Sequence, residues 1–257
     1  MYSRCVGFDV AADSYDRFMG RFSEPLAERF AMLLPLTPGQ RALDVGCGPG
    51  ALTSRLVEAL GCASVAAIDP SEPFVAAARA RFPDADIRIG SSEHLPFSDG
   101  TFGLTAAQLV VHFMADPIAG IAEMRRVTTP GGMVAASVWD FAGERAPLSL
   151  FWRAVRVLSP HAVDESGLPG ARDGHLTDLF EAAGLSAVTS STMTVTLTFA
   201  TFDDWWSPFL LGVGPAGAYV EALDAAAREL LRSECTRLVG DVPFSIEATA
   251  WVATGRA

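Results

Sequence analysis

Lysine and asparagine are both missing from this 257-residue chain, and all 19 basic residues are arginine. Without lysine there can be no P-loop phosphate lysine, no Schiff-base nucleophile and no Tyr-x-x-x-Lys dehydrogenase pair. Without asparagine there is no N-glycosylation sequon. Cysteine is scarce: positions 5, 47, 62 and 235 are widely spaced, and no two form a CxxC pair. That spacing argues against a disulfide framework or a zinc site, so reduced thiols, a cytoplasmic location and no bound metal are expected. No stretch approaches ~18 uninterrupted apolar residues, so no membrane span is expected. The opening Met1-Tyr-Ser-Arg-Cys-Val-Gly-Phe-Asp9 has too short an apolar run to read as a signal peptide. A formal charge of −11 disfavours a nucleic-acid partner.

Half the residues are hydrophobic and 19% charged, an ordinary globular balance. The length is enough for one sizeable domain with a full core. The informative stretch is Arg41-Ala-Leu-Asp-Val-Gly-Cys-Gly-Pro-Gly-Ala-Leu-Thr53. An apolar run broken by one acid gives way to glycines at 46, 48 and 50. The following segment is apolar at 52, 56, 57 and 60. This pattern predicts a buried strand, a tight turn and a helix facing the strand. Alternate glycines permit positive φ and let a ligand lie against the backbone. Two cofactor classes fit. Gly46-x-Gly48-x-x-Ala51 formally matches a dinucleotide fingerprint, with Asp69 about 20 residues on.

Asp44-Val-Gly-Cys-Gly-Pro-Gly50 also resembles motif I of the class I S-adenosylmethionine (SAM)-dependent methyltransferases. Further segments carry the same resemblance. Leu-Pro-Phe-x-Asp-Gly-Thr-Phe (residues 95–102) and Arg126-Val-Thr-Thr-Pro-Gly-Gly132 are similar to that family's adenine loop and post-core signature. A Tyr15-Asp-Arg-Phe-Met-Gly-Arg21 segment precedes the core in some members and caps the cofactor pocket. Nicotinamide folds have no equivalent of the 95–102 run. The resemblance implies a Rossmann-like, doubly wound, seven-stranded α/β sheet, mostly parallel with the last strand antiparallel. It implies SAM as cofactor and S-adenosylhomocysteine as product. It assigns to the cofactor Tyr15, Arg21, Asp44, Gly46, Cys47, Gly48, Asp69, Pro70, Ser91, Ser92, Glu93 and Gln108. Asp69 would take the ribose hydroxyls, Arg21 the cofactor's carboxylate and Ser91 the adenine amino group. The chain departs from the family pattern at Ser91, where an aspartate is usual, and at Gly103. The Asn/Asp-Pro-Pro-Tyr/Phe motif of nucleic-acid amino-methyltransferases is absent.

Strands are expected over 64–69, 86–89, 104–108, 133–139, 186–199 and 244–253, and helices over 23–34, 52–60, 74–81, 117–127, 148–158 and 175–183. The chain reads as one domain: a helical cap (1–40), a cofactor-binding core (41–140) and a C-terminal part with a helical lid at about 201–240. In that insertion Phe202, Trp205, Trp206 and Phe209 recur at helical spacing, interrupted by Pro208. Trp205, Trp206 and Phe209 either line an acceptor pocket or pack the insertion. His112, just after the fourth strand, is the candidate general base, or else a structural histidine beneath the lid. The expected reaction is in-line transfer of a methyl group to a small apolar or ring-containing acceptor. Oligomeric state is left open between monomer and homodimer. The alternatives are a SAM-binding scaffold or regulator that does not methylate and, more distantly, a nicotinamide-dependent oxidoreductase.

Overall fold

In a computed structural model, which describes residues 12–257, five parallel strands form one side of a seven-stranded sheet. The readings made above for the leader segment and Cys5 lie outside the described residues. In chain order the elements are α1 (Ala12–Tyr15), a π-helical turn (Asp16–Gly20), α2 (Arg21–Ala31), β1 (Ala42–Val45), α3 (Ala51–Leu60), β2 (Val65–Asp69), α4 (Glu72–Arg81) and β3 (Asp86–Ile89). There follow β4 (Phe102–Gln108), α5 (Pro117–Val127), β5 (Thr128–Trp139), α6 (Ser149–Leu158), α7 (His175–Ala182) and β6 (Ser186–Phe199). The chain closes with α8 (Phe202–Trp206), α9 (Gly214–Ala222), α10 (Ala225–Val239) and β7 (Phe244–Arg256).

The seven strands run in the order β3-β2-β1-β4-β5-β7-β6. β1 to β5 are mutually parallel, and β7 lies antiparallel to both β5 and β6. The seven-stranded, mostly parallel sheet expected from the sequence is therefore present. Every residue of β1 and β2 is buried, as strands covered by helices on both faces must be. That is why Ala-Leu-Asp-Val and Val-Ala-Ala-Ile-Asp read as continuous rather than alternating apolar runs. β6, the edge strand, instead alternates over its second half, with Met193, Val195 and Phe199 buried between exposed threonines, while β7 beside it is buried across its middle.

Parallel register brings the carboxyl ends of β1, β2, β4 and β5 to one edge. Val45 lies opposite Ile68, Asp69 opposite Ile89, and Gln108 opposite Ser137. Two side chains of α5, Arg126 and Glu123, hold the loop between β3 and β4. Arg126 donates to the Leu95 and Phe97 carbonyls at 3.0 and 2.9 Å, and Glu123 accepts the Leu95 N–H at 3.0 Å. The Arg126-Val-Thr-Thr-Pro-Gly-Gly signature is thus a structural clamp here.

The insertion differs from the single helix its spacing predicts. α8 stops at Trp206 and a 3₁₀ turn, Ser207–Leu211, carries Pro208 in its first turn. Proline cannot donate the backbone bond that an α-helix would need at that point. Beyond it stand two helices, α9 and α10.

Behind β5, the Trp152 indole on α6 donates to Glu165 at 2.7 Å, and Glu165 is almost fully buried. Burial pushes its carboxyl up to about 7, against the opposing effect of the indole bond. A carboxyl raised above its ordinary value of 4.5 favours folding at low pH, and that contribution disappears as pH climbs to about 7. Glu165→Gln keeps an acceptor for the indole and removes the charge. Its stability relative to the parent chain should rise by up to about 3 kcal/mol between pH 5 and pH 8. Thermal melts of the two proteins across that range check this. A stability difference that does not change with pH would show that Glu165 titrates as an exposed acid does.

Candidate active site

The loop after β1 is set by hydrogen bonds to its neighbour. The N–H groups of Gly46 and Cys47 both donate to the Ile68 carbonyl, at 2.7 and 3.0 Å, which bends the chain across the end of β2. Gly46 has φ +71°, and a Cβ there would sit 2.3 Å from Val110 Cγ2. Val110 is delivered by Leu109, a non-glycine residue at φ +60°, whose N–H bonds the Ser137 carbonyl at 2.9 Å. Gly48, at φ +53°, has open space where its Cβ would be. The first glycine thus serves close packing, and the second leaves a bare backbone face.

Asp69 anchors this loop. One carboxylate oxygen accepts the Gly48 N–H at 2.9 Å and the other the Ser71 N–H at 2.8 Å, at the entry to α4. Burial pushes its carboxyl upward, and the two backbone bonds oppose the shift. Each oxygen keeps a second lone pair. Asp44 lies deeper. Its Oδ2 accepts the Thr53 hydroxyl at 2.6 Å, while its Oδ1 is buried with no partner. Burial first, and the neighbouring Asp69 charge after it, push Asp44 up to about 7. Burial and the same two acids push the Cys47 thiol far above its usual range, so it is no nucleophile here.

The remaining assigned residues fall into three groups. Tyr15 sits in the cap with its ring 5.2 Å from that of Phe74 on α4, and burial pushes its phenol up to about 12. This places the cap's tyrosine beside the Asp69-Pro70 turn, where Pro70 itself is exposed. Glu93 accepts the N–H groups of Ala115 and Asp116 at 2.9 and 3.3 Å, joining the loop after β3 to the loop after β4. Burial alone would raise its carboxyl. Bonds from its own and the Asp116 backbone amide, and from the Ser92 and Ser91 hydroxyls, outweigh burial and hold it low. Ser91 and Ser92 thus lie beside Glu93. Gln108 ends β4, its Nε2 donating to the Ser23 carbonyl at 2.9 Å and its Oε1 buried without a partner.

Arg21 is placed differently from the carboxylate-binding role the resemblance implies. Its guanidinium grips both oxygens of Asp204 at 3.0 and 3.1 Å and lies over the Phe199 ring, 4.7 Å from the centroid. His112 is buried in the short turn after β4, packed between the Phe113 and Phe141 rings, and its Nδ1 has no partner. Burial pushes it down to about 3, so it is neutral at physiological pH. Trp205, Trp206 and Phe209 are all buried. Phe209 meets Phe18 of the cap at 5.0 Å and stacks on Phe151 at 4.6 Å. Trp205 and Phe209, but not Trp206, also face a crevice beneath the cap. No cluster of potential metal ligands occurs among the described residues.

Sequence reasoning missed Thr53, Val110 and Asp204. Thr53 could have been found, since it lies one turn into the helix that faces Asp44. Asp204 carries no local signal, being 183 residues from Arg21.

Residues 43–136 match the family described as "Methyltransferase domain". A malonyl-[acyl-carrier protein] O-methyltransferase of Erwinia billingiae is 33% identical over 153 residues, which cover 60% of this chain and 59% of that protein. The chain spans about half the length of the curated relatives it matches. Among solved structures, the complex of the Haloferax volcanii Trm112 methyltransferase activator with a putative methyltransferase has a TM-score of 0.61 at 20% identity, covering 99% of both chains. Geranyl diphosphate C-methyltransferase from Streptomyces coelicolor A3(2), in complex with Mg2+, geranyl diphosphate and S-adenosyl-L-homocysteine, has a TM-score of 0.54 at 13% identity, covering 93% of this chain and 80% of that one. At these identities the likeness is one of fold.

The two glycines should separate under substitution. Gly46→Ala forces a Cβ into Val110 as well as straining φ, and should cost about 3 kcal/mol or more of stability. Gly48→Ala meets nothing and should cost only about 1 kcal/mol. Urea unfolding midpoints measure both. Equal losses would mean that the Gly46–Val110 contact is not the constraint described.

Proposed function

We propose, from the premise that this chain belongs to the class I S-adenosylmethionine-dependent methyltransferases, that it transfers a methyl group from SAM to a small acceptor with an apolar or ring-containing body. The observation that carries the reading is a buried carboxylate oxygen without a partner, Asp44 Oδ1, directly behind a glycine loop with a bare face at Gly48. An unpaired buried acceptor is costly unless a ligand completes it. SAM carries an ammonium group, and that donor suits Asp44 Oδ1. Gln108 Oε1 offers a second unfilled acceptor at the end of β4. The second lone pairs of Asp69 suit a ribose diol, as in other doubly wound sheets. The residues present therefore fit the cofactor.

When bound, the cofactor supplies the activated methyl group, and the protein's part is alignment and exclusion of water. Gly46 to Gly50 and Asp69 would hold it at the carboxyl ends of β1 and β2. Phe22 and Trp139, 6.5 Å apart and edge to face, wall off the end of β5 from solvent. His112 would position a polar group of the acceptor. A pKa near 3 leaves it a poor proton store at neutral pH. Ser91 would offer the adenine amino group a hydroxyl acceptor.

A second reading, SAM binding without transfer, draws support from Ser91, a serine where the family usually has an aspartate. A fold shared among methyltransferases and a [4+2]-cyclase does not dictate methyl transfer. Incubating the protein with SAM and fractionated cell extract distinguishes the two, since transfer releases S-adenosylhomocysteine and binding alone does not.

Calorimetry with S-adenosylhomocysteine tests the cofactor site directly. Asp69→Ala should weaken binding by about 2 kcal/mol, and Gly48→Ala, still folded, by at least about tenfold. Unchanged affinity in both variants would remove the loop from the site.

A further inference from the structure

A narrow crevice opens between the cap and the insertion. Its walls are Phe18 and Phe22 of the cap, Leu148 before α6, Phe199 at the end of β6, and Trp205 and Phe209 of the insertion. All six are buried. The space is about 260 Å³ including its open mouth, so a ring-sized occupant would have to part the walls. Its inner end leans on the proposed transfer site. Phe22 meets Trp139 edge to face, and Trp139 closes β5 with its indole N–H buried and unpartnered. Gln108, which closes β4, is tied to Ser23 next to Phe22.

Two arginines sit among the crevice-lining residues, Arg17 and Arg21. Arg21 is neutralised by the two-pronged pair with Asp204. Arg17 is exposed, and among the described residues it has no ion pair or hydrogen bond. An aromatic slot whose one unpaired charge among the described residues is a guanidinium complements a molecule with an apolar body and one anionic group. On a chain of net charge −11, an unpaired guanidinium gives an anion a local point of attraction. A lone guanidinium matches a monoanion, and a phosphate dianion would call for further cations.

Resting on the proposed function, we infer that the acceptor is an apolar, ring-sized carboxylate. It enters between cap and insertion, with its carboxylate held at Arg17 and the atom to be methylated pointing inward, remote from the carboxylate. The acid group is then a recognition handle and does not itself receive the methyl group.

The experiment is calorimetric titration of the full chain, saturated with S-adenosylhomocysteine, using three probes of one shape: 2-naphthoate, 2-naphthylmethanol and 2-naphthylmethylammonium. The carboxylate should bind about tenfold more tightly than the alcohol, and the ammonium most weakly. Arg17→Ala should reduce the carboxylate to the affinity of the alcohol and leave the alcohol unchanged, while Arg17→Glu should favour the ammonium. Equal binding of all three probes, or a carboxylate preference that survives Arg17→Ala, overturns the inference. So does failure of every probe to bind a protein that still takes up S-adenosylhomocysteine, and that result leaves the cofactor reading standing. Loss of S-adenosylhomocysteine binding in the parent chain would instead sink the reading on which the inference rests.

Discussion

Two backbone N–H groups, those of Gly48 and Ser71, converge on the carboxylate of Asp69 at the end of β2. This one side chain ties the loop leaving β1 to the start of α4, and so holds the carboxyl ends of two parallel strands in fixed relation. The loop can reach it because Gly46 and Cys47 are already bonded to the Ile68 carbonyl, one residue earlier on β2. Asp44 is held behind the loop by Thr53. The arrangement packs two carboxyls into a buried region, and burial raises both. Such a cluster is unfavourable in an isolated fold and becomes favourable once a cationic donor completes it. Strain and unpaired groups concentrate at this edge of the sheet: Leu109 at positive φ, and Asp44, Gln108, His112 and Trp139 each with an orphaned polar atom.

Around that edge the chain builds a second layer from its two most distant parts. The cap supplies Phe18, Arg21 and Phe22, and the insertion supplies Asp204, Trp205 and Phe209. Arg21 and Asp204 join by two parallel N–H···O bonds, and Phe18 and Phe209 meet at 5.0 Å. Both carboxylate and guanidinium are partly exposed, so the pair contributes orientation more than stability. The aromatic packing supplies most of the cohesion through buried area. The glycine-loop edge and the aromatic layer over it are thus separate constructions, the first local to β1–β4 and the second assembled across the chain. One can vary while the other is kept, which is how a shared fold serves different acceptors.

Much of this was legible in the sequence. The glycine loop, the buried strands around Leu43 and Ile68, the Thr-rich outer strand 186–199 and α5 at Pro117–Val127 all follow from periodicity and punctuation, and the structure places them there. Asp69, Gln108 and Gly48 also stand at the strand ends where sequence placed them. What local sequence encodes is which residues share a face and where the backbone must turn, because those depend on periods of two or 3.6 residues and on single glycines and prolines. Pro208 is such a signal, and the break in the insertion helix falls beside it.

The rest was decided by tertiary structure. Arg21 reads as a carboxylate-binding arginine until the fold brings Asp204 to it from the far end of the chain. His112 reads as a base until Phe113 and Phe141 bury it and hold it neutral. In each case the residue type was plain and its partner was not. A side chain's charge, pairing and proton affinity are set by whatever atoms come within a few ångströms, and Asp204 and Phe141 reach Arg21 and His112 through chain closure, which no local period records.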